Sequence, residues 1–374
     1  MGENLQHLTQ NLLVPPGMGV YTVHTAKERK DKLHHKLYGT SDTALVVDEW
    51  LKRQQFFFQS DLSSLAFFAI PSDCGGGILR GANWGPLALR SNFYDSVQTP
   101  DFVTKIHDLG DVRVIPHYLH DSLLSERAIS ASRQALFGKT TSTWPVSPLS
   151  IAEYYLQNLY ENKPNLKIFG LGGDHSVSYP LVKTYLQARK RMGVKAALIH
   201  FDAHTDLLPS RLGVDICFGS WTYHILEHLN SPADLYQIGI RASGKDRDHW
   251  EKTHGIHQHW CQEVRQDPIG LATKILSDLQ KKKIHEVYVT FDIDALDISH
   301  ASATGTPEGN GLFLYDAAVF LRTLAAGISI GGADLVEVAP FIHHPESPRP
   351  EPYNTIFNGT EIMLILMESM LGRN

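Results

Sequence analysis

The stretch AALIHFDAHTD, residues 196–206, decides how the rest of the chain is read. Its first half, Ala196 to Phe201, is a nearly unbroken apolar run. That is the pattern of a parallel strand covered on both faces, not of a strand with one wet side. Its second half offers Asp202, His204 and Asp206 at alternate positions. At the end of an extended strand, residues i and i+2 point to the same side, so these three side chains can converge. Open parallel sheets bind ligands at the carboxyl ends of their strands, which is where this segment places them.

Two more segments repeat the plan. LKIFGLGG (166–173) runs into Asp174-His175-Ser176, and HEVYVTFDID (285–294) ends in Asp292 and Asp294, with Asp297 just beyond. Further strands are expected at 65–71, 111–116, 234–241 and 333–340. Amphipathic helices are expected at 150–162, 176–191, 220–229, 268–283, 315–326 and 360–371. Strands alternating with helices of this length imply crossover units and a parallel sheet, hence an α/β fold. Residues 1–60 read as an N-terminal extension with one helix over 43–58 capped by Asp42, and 61–374 as the catalytic domain. The proline-rich run PFIHHPESPRPEP (340–352) reads as a loop, either rimming the site or crossing the surface.

Composition narrows the function. With 34 basic and 40 acidic residues and a net charge of −6, no electrostatic footprint for nucleic acid or an anionic membrane is present. The opening MGENLQHLTQ lacks a secretory pattern, and no apolar run reaches the roughly 20 residues needed to span a bilayer. Cys74, Cys217 and Cys261 are odd in number and far apart, which argues against a disulfide framework and for a reducing, cytoplasmic location. Most of the 20 histidines need no special role. His24, His34, His35, His117, His120, His249, His254, His257, His259 and His300 sit among polar or turn residues and read as surface or capping groups.

The set His175, Asp202, His204, Asp206, Asp292 and Asp294 offers six side chains, enough for two ions if two carboxylates bridge. Four carboxylates carry −4 and two divalent cations +4, whereas a single ion would leave a buried net charge of about −2, which a low dielectric penalises. Turn-forming aspartates explain any one segment, but poorly explain three, all directly after apolar strands. Carboxylate-rich, thiolate-free ligation suits Mn²⁺ better than structural zinc, with Ni²⁺ or Co²⁺ compatible on ligand type.

GGDHS, HFDAHTD and TFDIDALD, in that order, resemble the ureohydrolase family of arginases, agmatinases and formimidoylglutamases. Ser72-Asp73 with Gly81 to Pro86, Leu109 to Val112, Ile238 to Arg241, Gly305 to Glu308 and Val336 to Pro340 also match, so the likeness runs from about 65 to 370. The resemblance implies a three-layer αβα fold with a mostly parallel eight-stranded sheet, usually in homo-trimers or homo-hexamers. It implies that His175 and Asp206 serve one ion and His204 and Asp294 the other, with Asp202 and Asp292 bridging. A bridging water, acidified by both cations, would attack the trigonal carbon of a small cationic guanidino substrate. Asp206 would carry the proton to the leaving amine. Glu337 would pair with the substrate, as a planar guanidinium wants a bidentate carboxylate. Asp174 and Asp297 would orient metal-bound groups.

The chain departs from the family pattern in its substrate-facing residues. Phe218 stands where arginases and agmatinases carry a proton-shuttling His; His224 can substitute, though it also reads as a helix-surface residue. Leu207-Leu208-Pro209 replaces the polar residues that recognise an amino-acid head, which disfavours arginine. Cys217, Phe218 and Trp221 suggest an apolar, smaller pocket. Guanidine, guanidinobutyrate and agmatine all remain compatible, and Arg211 or Arg80 could instead meet the carboxylate of guanidinobutyrate or formiminoglutamate. Outside the family, a single-zinc deacetylase shares the architecture but uses fewer carboxylates. An inactive binding module is expected to have lost ligands, and none of the six is missing.

Overall fold

The apolar runs become strands because both of their faces are covered: β5 (Ala196–Phe201) and its neighbours are buried throughout, apart from the half-buried Glu286 at the start of one neighbour. In the computed structural model, which describes residues 4–20, 27–60, 65–74, 79–97, 100–340 and 353–372, they form one sheet. In chain order its strands are β1 (Leu13–Val14), β2 (Leu65–Ile70), β3 (Ile106–Val112), β4 (Lys167–Gly172), β5, β6 (Leu235–Ile240), β7 (His257–Trp260), β8 (Glu286–Asp292) and β9 (Ser329–Val336). Across the sheet the order is β1-β3-β2-β4-β9-β8-β5-β6-β7. The expected eight parallel strands are β2 to β9. A ninth, the two-residue β1, pairs antiparallel with β3.

Helices cover both faces and make three layers. One core packs helices Gly85–Ser96, Pro268–Lys281, Leu314–Gly327 and Tyr353–Met370 against the sheet. The other packs Leu5–Leu12, Thr43–Gln59, Pro148–Asn162 and Ser178–Arg191 on the opposite face. Asp42 caps the Thr43 helix by accepting from the backbone N–H groups of Ala44 and Leu45. No described helix is long and apolar enough to cross a membrane.

Where the strands differ from expectation, buried polar groups and glycines are the cause. The strand expected at 111–116 runs instead over 106–112, with Asp108 and Asp111 inside it. Their charges are tolerable because Arg90, fully buried, meets Asp108 at 2.8 Å and Asp111 at 2.7 Å. We expect Arg90→Met to destabilise the protein by about 3–5 kcal/mol, because two buried carboxylates lose their cation. A thermal melt would show it, and an unchanged midpoint would refute it. The strand expected at 333–340 begins at Ser329, because Gly331 and Gly332 mark tight packing rather than a turn. A Cβ on Gly332 would lie 2.8 Å from the Tyr288 ring. The helix expected from 360 starts at Tyr353, since Asn354 and Asn358 are held by the carbonyls of Ser299 and His300.

The four-residue β7, HQHW, has no apolar run and was not expected. The helix expected over 220–229 is α-helical only from Trp221 to Ile225 and continues as a 3-10 turn. His120 caps a turn as expected, but His34 and His259 are buried rather than superficial. The proline-rich loop beyond Pro340, and His24, lie outside the described residues.

Candidate metal centre

The sheet order places β4, β9, β8 and β5 side by side. The three acidic segments therefore leave adjacent strands at one edge of the sheet, together with the turn after β9. Each segment is locked by its own backbone. After β4, Gly173 passes so close to Ser72 that a Cβ would sit 1.8 Å from its carbonyl oxygen. Asp174 then caps the turn His175–Val177 by accepting from Ser176 N and Cys74 N. Asp174 thus builds the turn, and Asp297 likewise holds its loop through Ser299 and Gly311. Asp206 and Glu337 sit in the left-handed backbone region, with φ of 51° and 64°. Such strain in non-glycine residues persists only where the surroundings enforce it, and it clusters at working sites.

The side chains converge tightly. His175 Nδ1 lies 3.1 Å from Asp202 Oδ2, 3.2 Å from Asp206 Oδ2 and 3.1 Å from Asp292 Oδ2. His204 Nδ1 lies 3.3 Å from Asp202 Oδ1 and 3.1 Å from Asp294 Oδ2. Two groups of possible ligands result, one with His175, His200, Asp202 and Asp206, the other with Asp202, His204 and Asp294, sharing Asp202. Asp292 adjoins the first through His175.

Do these residues suit a cation? Donor atoms about 2.1 Å from one ion and at right angles to each other stand about 3.0 Å apart, close to the separations here. The hydrogen bonds behind His175 agree. Thr290 gives its only hydroxyl proton to Asp334 at 2.7 Å, so at its 3.2 Å contact with His175 Nε2 it must accept. A neutral His175 therefore turns a bare Nδ1 lone pair toward three carboxylates, and that atom makes no hydrogen bond. Burial and the charges of Asp294 and Asp202 hold the Asp292 carboxyl well above the usual carboxylate range. Burial opposes charge on His175, yet the carboxylates around it overcome that and raise it well above its ordinary value. The cluster demands positive charge, and divalent cations fit it.

The cluster opens into a cavity of about 390 Å³ lined in part by His175, His204, Asp206, Asp292 and Glu337. Glu337 is buried. Its Oε1 accepts from His175 N at 2.9 Å, while Oε2 has no hydrogen-bond partner among the described residues. Burial, then the charges of Asp292 and Asp174, push its carboxyl well up.

The remaining candidates divide. Phe218 and Arg211 line the cavity, with the Arg211 guanidinium 4.7 Å over the Phe218 ring. His224 does not line it; its Nε2 lies 3.0 Å from the Pro209 carbonyl. Arg80 pairs with Asp73 beside a different cavity. Cys217 faces a neighbouring hollow. Trp221 is fully buried beneath the cluster rather than in the pocket wall, and donates to Asp206 Oδ2 at 2.9 Å.

Several contributors escaped the sequence reading. Thr306 donates to Asp294 Oδ2 at 2.9 Å, Thr290 and Asp334 back His175, and His200 Nε2 meets Asp202 Oδ2 at 2.9 Å. His200 had a visible signal: it precedes Asp202 by two residues and so shares its face of β5.

Fold and cluster together define a three-layer α/β protein with His and Asp groups that could hold divalent cations at the carboxyl ends of its central strands. Residues 63–367 match the arginase family model, and the chain belongs to the arginase family. It is 32% identical over 203 residues to an agmatinase of Bacillus subtilis, an alignment taking in 54% of this chain and 65% of that protein. It is 30% identical over 286 residues to the human mitochondrial guanidino acid hydrolase, covering 74% of this chain and 71% of the other. The solved formimidoylglutamase of Bacillus subtilis shares the fold with a TM-score of 0.64 at 20% identity, covering 83% of this chain and 88% of that one.

Proposed function

We propose that the protein hydrolyses a C–N bond of a small guanidino compound and releases urea. One observation carries this reading: the buried Oε2 of Glu337, without a partner among the described residues, shares a cavity with the His/Asp cluster. A buried carboxylate oxygen without a donor is unfavourable, and a guanidinium supplies both the missing N–H groups and the charge. His175 and Asp206 would hold one divalent ion and His204 and Asp294 the other, with Asp202 and Asp292 bridging. Mn²⁺ is the first choice and Ni²⁺ the second. Bound there, such ions would lower the pKa of water toward neutrality and act as a Lewis acid.

The chain's own residues do the rest. Glu337 orients the guanidinium, with Oε1 fixed by the His175 amide so that Oε2 stays in place. Trp221 holds Asp206 Oδ2, which leaves Oδ1 of Asp206 to take up a proton and pass it to the leaving nitrogen. Leu208, Phe218 and Trp250 line the cavity with apolar surface, which limits water and long polar tails. His224, facing Pro209, is left as the weaker proton carrier.

Two measurements test the reading: urea release from guanidine, guanidinobutyrate, agmatine and arginine with Mn²⁺- or Ni²⁺-loaded protein, with formamide release from formiminoglutamate as the contrast, and loss of urea release on chelation. No urea from any of them would refute it. Arg211 favours a second reading, a guanidino acid whose carboxylate it would meet, and the name of the human relative supports this. Arg211→Ala is then expected to lower kcat/KM for guanidinobutyrate about 10-fold, the loss of one charge-assisted hydrogen bond, while sparing guanidine. Equal loss on both would exclude that role. A homo-trimer or homo-hexamer is the proposed assembly, to be measured by light scattering.

A further inference from the structure

A row of buried polar side chains crosses the sheet one pleat below the metal centre. In register, Gln258 on β7 sits beside Gln237 on β6, which sits beside His200 on β5; His200 in turn neighbours Thr290 on β8, and Thr290 neighbours Asp334 on β9. All five are fully buried. Five polar residues in the middle of a sheet core call for a reason, since apolar packing there would be the more stable choice.

From β7 to β5 the hydrogen bonds run in one direction. The Trp260 indole can only donate, and it gives Nε1–H to Gln258 Oε1 at 3.1 Å. The Gln258 amide therefore turns its Nε2 to Gln237 Oε1, at 2.8 Å. Gln237 Nε2 then faces the Thr205 carbonyl at 2.7 Å and His200 Nδ1 at 3.0 Å. A carbonyl can only accept, so Gln237 is fixed from both sides. Turning it over would set Oε1 against the Thr205 oxygen.

Because Gln237 donates to Nδ1, the proton of a neutral His200 sits on Nε2, where it is given to Asp202 Oδ2 at 2.9 Å. The opposite tautomer would oppose two N–H groups and leave a bare nitrogen against a carboxylate. Although His200 lies close enough to the cluster to count among its possible ligands, its Nε2 lone pair is thereby occupied. Asp202 accepts one hydrogen bond on each oxygen, the other from His204 N, which leaves its remaining lone pairs free for cations held by the cluster.

We propose that Gln237, backed by Gln258 and Trp260, is a positioning residue that fixes the His200 tautomer and so aims the Asp202 carboxylate at the metal centre. This rests on the metal reading above, and the experiment separates the two. In metal-free protein carrying 15N-labelled histidine, His200 is assigned by the signals lost in His200→Gln. Its Nδ1 is expected bare and its Nε2 protonated; a proton found on Nδ1 overturns the proposal.

Metal release to a chelator is then followed for wild type and Gln237→Met, a side chain of similar length with no donor. Release is expected to be faster by about 10- to 100-fold, the usual effect of removing a group that orients a ligand. Trp260→Phe, at the outer end of the row, is expected to shift it less and serves if Gln237→Met does not fold. A role in packing alone would lower the melting point of the metal-free protein without hastening release, and that result also overturns the proposal. Wild-type protein that takes up no divalent ion refutes the metal reading and this proposal with it. Uptake by wild type with unchanged release from both variants refutes this proposal alone.

Discussion

Replacing Asp292 with alanine is expected to reduce urea release by at least about 1,000-fold and to lower the metal content of the purified protein. Asp292 ends β8 with its carboxylate 3.1 Å from His175 Nδ1. In the proposed centre it bridges both ions, so its loss removes a ligand from each and one negative charge from the balance that retains them. Electrostatic stabilisation by metal ions is worth several kcal/mol at the transition state, and each 1.36 kcal/mol is about a factor of ten in rate. The backbone should tolerate the change, because the N–H of Asp294 that Asp292 now caps lies in a 3-10 turn held by further contacts. The measurement is metal analysis alongside urea release, and full activity in Asp292→Ala would sink the assignment of the centre.

Glu337→Gln is expected to behave differently: metal retained, kcat/KM down by about 1,000-fold. The amide preserves shape, and its oxygen can still accept from His175 N as Oε1 does now. Its NH₂ would then face the cavity, setting donors against the donors of a guanidinium. Losing one partner of a buried charge pair costs about 2–5 kcal/mol, which brackets the stated factor. Protein that keeps its metal and loses turnover would separate substrate pairing from metal holding. A variant that turns over normally would remove Glu337 from the substrate, and with it the observation on which the proposed function rests.

The contrast between these two residues shows how much could be read before the fold was known. Asp292 announces itself, since VYVTF runs straight into Asp-Ile-Asp and the spacing carries the geometry. Glu337 is an acid after a strand like many others; only family resemblance singled it out, and its φ of 64° and partnerless oxygen are tertiary facts. Phe218, Cys217 and Trp221 looked alike as apolar pocket residues, yet the structure sends them to the cavity wall, a neighbouring hollow and the floor beneath Asp206. β3 starts five residues before its expected place, because a charged Asp108 is tolerable inside a buried strand only once Arg90, distant in sequence, neutralises it together with Asp111.

Taken alone, the sequence settled those features whose cause is local. Continuous apolar runs make parallel strands, and an excess of carboxylates without nearby lysine or arginine calls for cations; the turn that brings Asp206 back toward Asp202, with φ of 51°, is not strand alternation. What depended on the order of strands across the sheet was decided only by the tertiary structure. β9, last in the chain, enters between β4 and β8 and delivers Glu337 to the cluster. The row from Trp260 through Gln258 and Gln237 to His200 exists only because β7, β6 and β5 lie in register. Pairing between distant strands is set by how the whole core packs, and no window of sequence carries that information.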